Sequence, residues 1–564
     1  MAGANTNTMT GGQIVVDVLR SLGVSLVFGV PGGQTLSITD AMLDVDDLRF
    51  VTARHEGAAA CMADAVGRVT RTPGVCLATT GPGATNLLTG VGGAFRDSSP
   101  MLVLTCNNNL RDLARDDAQA ANHVDVFRSL TKWATLVPDV SVIASAIEEG
   151  YLRAMTGCPG PVLIDFARSA LEAEVPRIAI PGAGAHPARA IAAQRPQAEP
   201  GLVAGVAARL AAAERPVMWL GNGAKLADAS GAALALAEHL EMPVITTFNG
   251  IGSVPTTHPL VFGPLSRMGT ELSSRVLAES DLLLAVGNSL NAISTSRWTI
   301  ELPATVVQVD VDPANLGRYY ADRTVGILAD ARSALEQLLA AGPARSGGAW
   351  PASLAGARTD WLGRAAASSP SASGAIAPDR LVQILRRVSP DDTVLVVDAG
   401  NPGVWSHLWE VRQPGTYLKP VGFGNMGFGL PAAIAAKLVQ PGSPVVALVG
   451  DGSLGMSLGE LETLGREGVA SVIVVMNDSG YGNIRQEQLV KYGDRTVGVD
   501  FGDVDYAAIS RACGVDAVRV DAEDAFADAV AAAFASDSPT VIDARIDASL
   551  NAWTYPLFKQ YELE

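Results

Sequence analysis

Residues 443–482 read SPVVALVGDGSLGMSLGELETLGREGVASVIVVMNDSGYG. Two unbroken apolar runs, SPVVALV and ASVIVVM, flank a stretch with helical patterning, MSLGELETLGREG. Apolar strands alternating with helices indicate a parallel sheet covered on both faces. Each run ends in chemistry-bearing residues: Gly450-Asp451-Gly452-Ser453 after the first, Asn477-Asp478-Ser479-Gly480 after the second. In such sheets ligands bind outside the carboxyl ends of the strands. Asp451 and Asp478 are 27 residues apart, about the length of one strand-helix-strand unit, so both are expected side by side at one sheet edge. Two hard oxygen ligands there suit Mg²⁺, which takes few protein ligands and completes its shell with water and phosphate. The N–H groups of Gly452 and Ser453 are placed to cap phosphate oxygens at a helix start. Asp, Gly and Ser are also standard turn residues.

The same alternation extends outward in both directions. VSLVFGV and GVCLATT read as strands around the helix EGAAACMADAVGRVT; PVMWLG, DLLLAVG and TVVQVD as strands beside the helix LADASGAALALAEHL; TVLVVDAG as a further strand before the opening stretch. Residues 182–200 and 342–374, rich in Ala, Gly, Pro and Ser, read as linkers. The expected architecture is α/β, with three doubly wound parallel-sheet domains at 1–181, 201–341 and 375–564. The length of 564 residues accommodates about three or four domains. Lys plus Arg number 41 against 58 Asp plus Glu, a net charge of −17, which makes a poor partner for a phosphate backbone. Hydrophobic residues make up 48% and charged residues 18%, a well-packed globular composition. Five scattered cysteines without a CxxC pair fit a reducing cytoplasm rather than a disulfide scaffold. The start, MAGANTNTMTGGQ, does not read as a signal peptide, and no apolar run approaches the ~20 residues of a membrane span.

In its GDG…ND pair the chain resembles the thiamine-diphosphate-dependent 2-oxo-acid decarboxylase and carboligase superfamily. The resemblance implies that Asp451, the side chain of Asp478 and the carbonyl of Gly480 hold Mg²⁺ on the cofactor's diphosphate. The family's usual metal-binding Asn is Asp478 here, which adds a negative charge. Gly424-Asn425-Met426-Gly427 precedes the apolar helix LPAAIAAKLV. The resemblance makes Met426 the wedge that bends the cofactor and the Gly424 carbonyl an acceptor for its aminopyrimidine. Gly400-Asn401 matches the second diphosphate-contacting turn, and Tyr481 is a candidate for contacting the cofactor and, with Gln34, Gln119 and His123, for orienting the substrate.

Arg54-His55-Glu56-Gly57 ends a strand and opens an Ala-rich helix. A Glu at a helix start is a favourable dipole partner on any helix. The resemblance makes Glu56 the carboxyl that shares a proton with N1′ of the aminopyrimidine, so that thiazolium C2 is deprotonated to an ylid and the reaction passes through an enamine. A group with that task is expected in an apolar pocket, which Ala58, Ala59 and Ala60 suit. Thr80-Gly81-Pro82-Gly83-Ala84-Thr85-Asn86 resembles a turn of acetolactate synthases, partly structural and lining the cofactor cleft. The stretch 107–135 resembles acetolactate synthase and benzaldehyde lyase. Gln119 lies 13 residues before Lys132, which matches the active-site Gln spacing of acetolactate synthases. His123 is a candidate proton shuttle, although a solvated or capping His is the commoner case. Val30-Pro31-Gly32-Gly33-Gln34 resembles the acetolactate synthase loop, with Gln34 where benzaldehyde lyase carries a His.

Acetolactate synthases and pyruvate oxidases hold FAD in the central domain. Their flavin-contacting patterns are replaced here by Arg267-Met268-Gly269 and the stretch from Gly287 to Ala292, which counts against bound FAD. Residues 306–318, VVQVDVDPANLGR, resemble flavin-free benzaldehyde lyase. The expected function is a thiamine-diphosphate- and Mg²⁺-dependent C–C lyase or ligase acting on a 2-oxo acid, acyloin or aldehyde. The resemblance also implies a homodimer or homotetramer, Glu56 of one copy facing the diphosphate site of another. A flavin-containing 2-oxo-acid oxidase and a non-catalytic paralogue are the alternatives; intact Glu56 and Asp451 argue against the second.

Overall fold

The computed structural model describes residues 7–560 apart from 114, 346–348, 368–370 and 372. Three six-stranded sheets, every pairing parallel, occupy the three expected blocks of sequence. The first contains β1 (Leu26–Gly29), β2 (Arg49–Thr52), β3 (Gly74–Ala78), β4 (Met101–Asn107), β5 (Trp133–Val137) and β6 (Pro161–Ala167), in the order β2-β1-β3-β4-β6-β5. The second contains β7 (Pro216–Leu220), β8 (Val244–Thr246), β9 (Val261–Pro264), β10 (Leu282–Val286), β11 (Thr305–Asp310) and β12 (Thr324–Leu328), in the order β9-β8-β7-β10-β11-β12. The third contains β13 (Val394–Val397), β14 (Tyr417–Leu418), β15 (Val445–Gly450), β16 (Val472–Asn477), β17 (Asp516–Val520) and β18 (Thr540–Arg545), in the order β14-β13-β15-β16-β18-β17.

The apolar runs become strands because both their faces are covered. In β7 and β10 alternate residues enter two different cores: Val217, Trp219, Leu283 and Ala285 one, Met218, Leu220, Leu284 and Val286 the other. A side-chain period of two on a strand sends successive residues to opposite faces. Burial on both faces removes the polar half of the usual alternation.

The residues divide into two compact units. One comprises the described residues up to Gln194 with Phe423–Pro441 and Ser457–Val469; the other comprises Arg195–Gly422, Gly442–Met456 and the described residues from Ala470 onward. Within the first unit, the helix Gly429–Val439 packs on the helix Glu56–Thr70. Arg68 lies over the Phe428 ring at 5.3 Å. The sequence of the third block thus supplies helices to the first unit.

Three expectations require correction. Residues 342–374 are not merely a linker: Ala349–Ala366 form an 18-residue helix. Leu354 is fully buried in the core of the second sheet, with Trp350, Ala357 and Trp361 packed against that core. The spacing 350, 354, 357, 361 is one helical stripe. The Ala, Gly and Ser between its members hide it. Residues 182–200 likewise hold a short helix, Pro187–Ala192, with Ala188 in the first core. The stretch LADASGAALALAEHL (226–240) is helical only over Ser230–His239; Leu226 ends a separate short helix, Asn222–Leu226. Among the described residues no helix is long and apolar enough to cross a membrane.

Candidate active site

In the second unit, three neighbouring strands, β13, β15 and β16, end together. Each is followed by a glycine-bearing turn. After β13, Gly400 takes φ +84° and starts the short helix Asn401–Trp405. After β15, Asp451 opens the helix Asp451–Gly455 with its side chain buried. Its Oδ2 accepts the N–H of Gly480 at 2.9 Å, which ties the ends of β15 and β16. Burial first, and the charge of Asp478 second, push the Asp451 carboxyl up to about 7. Burial also raises Asp478, and Arg485 opposes the rise. Arg485 Nη2 donates to Asp478 Oδ2 at 2.6 Å and to its carbonyl at 3.2 Å, while Nη1 donates to Asp500 Oδ1 at 3.0 Å. The extra negative charge at the family's Asn position therefore has a partner, Arg485, that sequence reasoning missed.

Gly482 lets this turn close tightly. A Cβ there would lie 2.1 Å from Asp478 Oδ2 and 2.8 Å from Asn401 Nδ2. Asn401, Asp478 and the Asp451–Gly480 pair are in this way drawn together. Asn401 Oδ1 is buried without a hydrogen-bond partner. Gly452 packs edge-on to Tyr481, since a Cβ would sit 2.7 Å from that ring, and Tyr481 meets Phe501 at 4.7 Å. Ser453 is buried beside them. Among the described residues no group of three or more His, Cys, Asp or Glu side chains forms a metal cage. Two mutually repelling buried carboxylates, a neighbouring backbone carbonyl and an unanswered amide oxygen fit a hard cation that keeps water and phosphate ligands. These residues fit Mg²⁺ on a diphosphate.

In the first unit, β2 ends at Thr52 and the helix Glu56–Thr70 begins as expected. The junction is pinned by Glu460, a buried residue of the helix Glu460–Arg466. Its Oε1 accepts the N–H groups of Arg54 (2.9 Å) and His55 (3.2 Å), and its Oε2 accepts the Thr463 hydroxyl (2.7 Å). Nothing in the periodicity of 456–468 marks Glu460; only the fold does. Glu56 is half-buried, and its Oε2 accepts from Asn86 Nδ2 at 2.9 Å. A Cβ on Gly83 would lie 3.3 Å from Glu56 Oε1. The partner of this carboxylate is therefore the 80–86 turn. Of the three alanines, Ala60 packs against Gly90, where a Cβ would come within 2.5 Å of its methyl.

Gln34 is held at both ends: Oε1 accepts from the Thr79 hydroxyl (2.7 Å) and Nε2 donates to Asn108 Oδ1 (3.0 Å), leaving one N–H. Gln119 sits at φ +62° with an exposed side chain, and its carbonyl accepts from Thr80 Oγ1 at 3.3 Å. His123 is fully buried, its two ring nitrogens 2.9 Å from Asp165 Oδ1 and 3.1 Å from the Gly81 nitrogen. It is neither solvated nor a helix cap, the cap being Asn122. Both nitrogens are committed, so the ring has no free site with which to shuttle a proton. Gly424, at φ +67°, is exposed, Met426 is half-buried, and between them Asn425 is buried with Oδ1 unpartnered.

The second sheet changes direction between β7 and β10, the place such folds offer to a dinucleotide. There Gly223 N–H donates to Gly287 O at 3.0 Å and Gly221 N–H to Val286 O at 2.9 Å. The backbone of the neighbouring strand and turn takes those donors.

These arrangements fit a class of enzymes that bind a cofactor at the carboxyl ends of parallel strands. The chain belongs to the thiamine pyrophosphate enzymes. Residues 9–126, 203–338 and 398–544 match, in turn, their N-terminal TPP binding domain, central domain and C-terminal TPP binding domain. Within them it is a carboligase of the acetolactate synthase-like kind. It is 32% identical to the acetolactate synthase large subunit of Parasynechococcus marenigrum over 98% of this chain and 89% of the relative. It is 32% identical to a probable acetolactate synthase large subunit of Methanocaldococcus jannaschii, covering 96% and 92%. To the isozyme 1 large subunit of Escherichia coli it is 29% identical, covering 96% and 94%.

Proposed function

We propose that the chain is a thiamine-diphosphate- and Mg²⁺-dependent ligase or lyase that makes or breaks the C–C bond beside the carbonyl of a 2-oxo acid, acyloin or aldehyde. The observation that carries the reading is the buried pair Asp451 and Asp478 at adjacent strand ends, with the unanswered Asn401 amide beside it. When bound, thiamine diphosphate supplies a carbon acid and an electron sink. Asp451, Asp478 and the Gly480 carbonyl hold the metal. The N–H groups of Gly452 and Ser453, with Gly400 and Asn401, hold the diphosphate. Gly424 and Met426 orient the aminopyrimidine. Glu56 holds the proton shared with its N1′, steadied by the hydrogen bond from Asn86. Tyr481 borders the cofactor. The spare N–H of Gln34 and the side chain of Gln119 orient the substrate. The relatives, named as acetolactate synthases, favour the ligating direction. Glu56 of one copy serves the cofactor held by Asp451 and Asp478 of another.

Glu56→Gln keeps the volume and the contact with Asn86 but cannot exchange the proton. Its turnover on a panel of 2-oxo acids and acyloins should fall at least ~100-fold, the scale of acid–base catalysis, with cofactor affinity within a few-fold of the native chain. Unchanged turnover removes Glu56 from this role. The absorbance spectrum of the same preparation separates this reading from a flavin-containing oxidase.

A further inference from the structure

His123 has no part in the reaction as set out, yet it stands in a buried polar network of the first unit. Its ring and Asp165 are both buried to within 1% of full burial. Nε2 accepts the Gly81 N–H, so the ring proton sits on Nδ1 and is donated to Asp165. Asp165 takes two more donors, the Thr105 hydroxyl (2.7 Å) and Asn107 Nδ2 (2.9 Å). Asn107 Oδ1 in turn accepts from Thr80 Oγ1 (3.2 Å) and from Asn108 N–H (2.9 Å). The carboxylate is thus fully answered, and the imidazole carries its orientation to a single backbone amide.

That amide is well placed. Gly81 lies at φ +61°, and a Cβ on it would be 2.5 Å from the Gln119 carbonyl, so the turn admits only glycine. Gln119 is itself in the left-handed region, at φ +62°. A non-glycine residue held there marks a backbone that its surroundings over-determine. Gly81 caps the short helix Pro82–Asn86. Two residues on, Gly83 lies against Glu56 Oε1, and at the end of the helix Asn86 donates to Glu56 Oε2.

We infer that His123 is a positioning residue: with Asp165 it fixes the Gly81 turn, so that Gly83 and Asn86 hold the Glu56 carboxylate in one orientation and Gln119 stays on its carbonyl-inward backbone. A neutral imidazole suits the place because it offers a donor on one side and an acceptor on the other across a rigid ring. The inference rests on the reading of Glu56 given above. Removing the ring leaves a buried N–H unanswered and frees the turn, and small displacements of a reacting group cost large factors in rate.

The test uses the full chain with thiamine diphosphate and Mg²⁺, in the native and Glu56→Gln backgrounds. His123→Leu keeps the bulk and loses both bonds; His123→Gln keeps an acceptor for Gly81. Amide hydrogen exchange of the segment 79–87 should accelerate in His123→Leu. Its kcat should fall roughly ten- to a hundredfold with KM within about threefold, and His123→Gln should recover most of both changes. In the Glu56→Gln background His123→Leu should accelerate exchange equally but lower the residual turnover less than about twofold, because residues acting as a unit are not additive. Unchanged exchange at 79–87, or an equal kcat loss in both backgrounds, overturns the proposal. If His123→Leu does not fold, Asp165→Asn takes its place in the same two backgrounds and is held to the same exchange criterion and non-additivity. Full turnover of Glu56→Gln alone overturns the Glu56 assignment instead, which the exchange comparison keeps distinct.

Discussion

In the proposed site Asp451 would couple metal, proton and fold. Burial and Asp478 hold it near 7, above its ordinary 3.8. A cation must displace that proton, so Mg²⁺ affinity should rise as pH increases towards 7 and level off above it. The same shift has a sign for stability. The folded metal-free protein binds a proton that the unfolded chain releases, so this contribution is full below 3.8 and is lost as pH climbs through 7. Calorimetric titration with Mg²⁺ and thiamine diphosphate at pH 5.5 and 8 should show the tighter binding at pH 8. In thermal melts, the stabilisation by metal and cofactor should likewise be larger at pH 8. A pH-independent affinity would mean that Asp451 does not release a proton to the metal. The aspartates themselves were legible from sequence because glycines flank strand ends there. Arg485 and Glu460 were not. Each sits among ordinary helix residues, and its work depends on which turn the fold brings opposite it.

At the scale of elements, strands were easier to read than helices. The runs VVALVG and VIVVMN stand out because both their faces are buried, whereas 349–366 carries its apolar side chains one per turn among Ala, Gly and Ser. A helix with so narrow a stripe has little intrinsic signature, and its docking on the second sheet holds it in place. Leu354 is the residue on which that docking turns, being fully buried where Trp350 and Trp361 are not. Leu354→Ala should lower unfolding stability by about 2–5 kcal/mol, the cost of removing a buried Leu side chain. Turnover per folded molecule should stay near native, since the helix contributes none of the site residues. Denaturant unfolding with activity measured in parallel checks both parts. The helix Glu56–Thr70 is the opposite case: its start was legible because a strand run ends there and a Glu opens an Ala-rich stretch. What the reading missed was its partner: the 80–86 turn, 30 residues downstream, donates to Glu56 through Asn86.

For the whole molecule, the proposed chemistry divides between parts of the chain that are far apart in sequence and fall in different compact units, Glu56 in one and Asp451 in the other. If the working site pairs Glu56 of one copy with Asp451 of another, two dead variants can repair each other. A chain with Glu56→Gln still offers an intact metal end, and a chain with Asp451→Asn still offers an intact carboxyl. Each mixed pair then contains one site with both residues native and one with neither. Random pairing of equal amounts makes about half the dimers mixed, so turnover should recover to about a quarter of native. Were the two residues to serve one site within a single chain, every site would lack one of them, and mixing would recover nothing. The measurement is turnover after co-expression of differently tagged variants and isolation of the doubly tagged species, which should carry about half the native rate per dimer. Each variant alone, taken through the same steps, fixes the background. The result depends only on which copies supply the two residues, so it decides the arrangement whatever substrate the panel identifies.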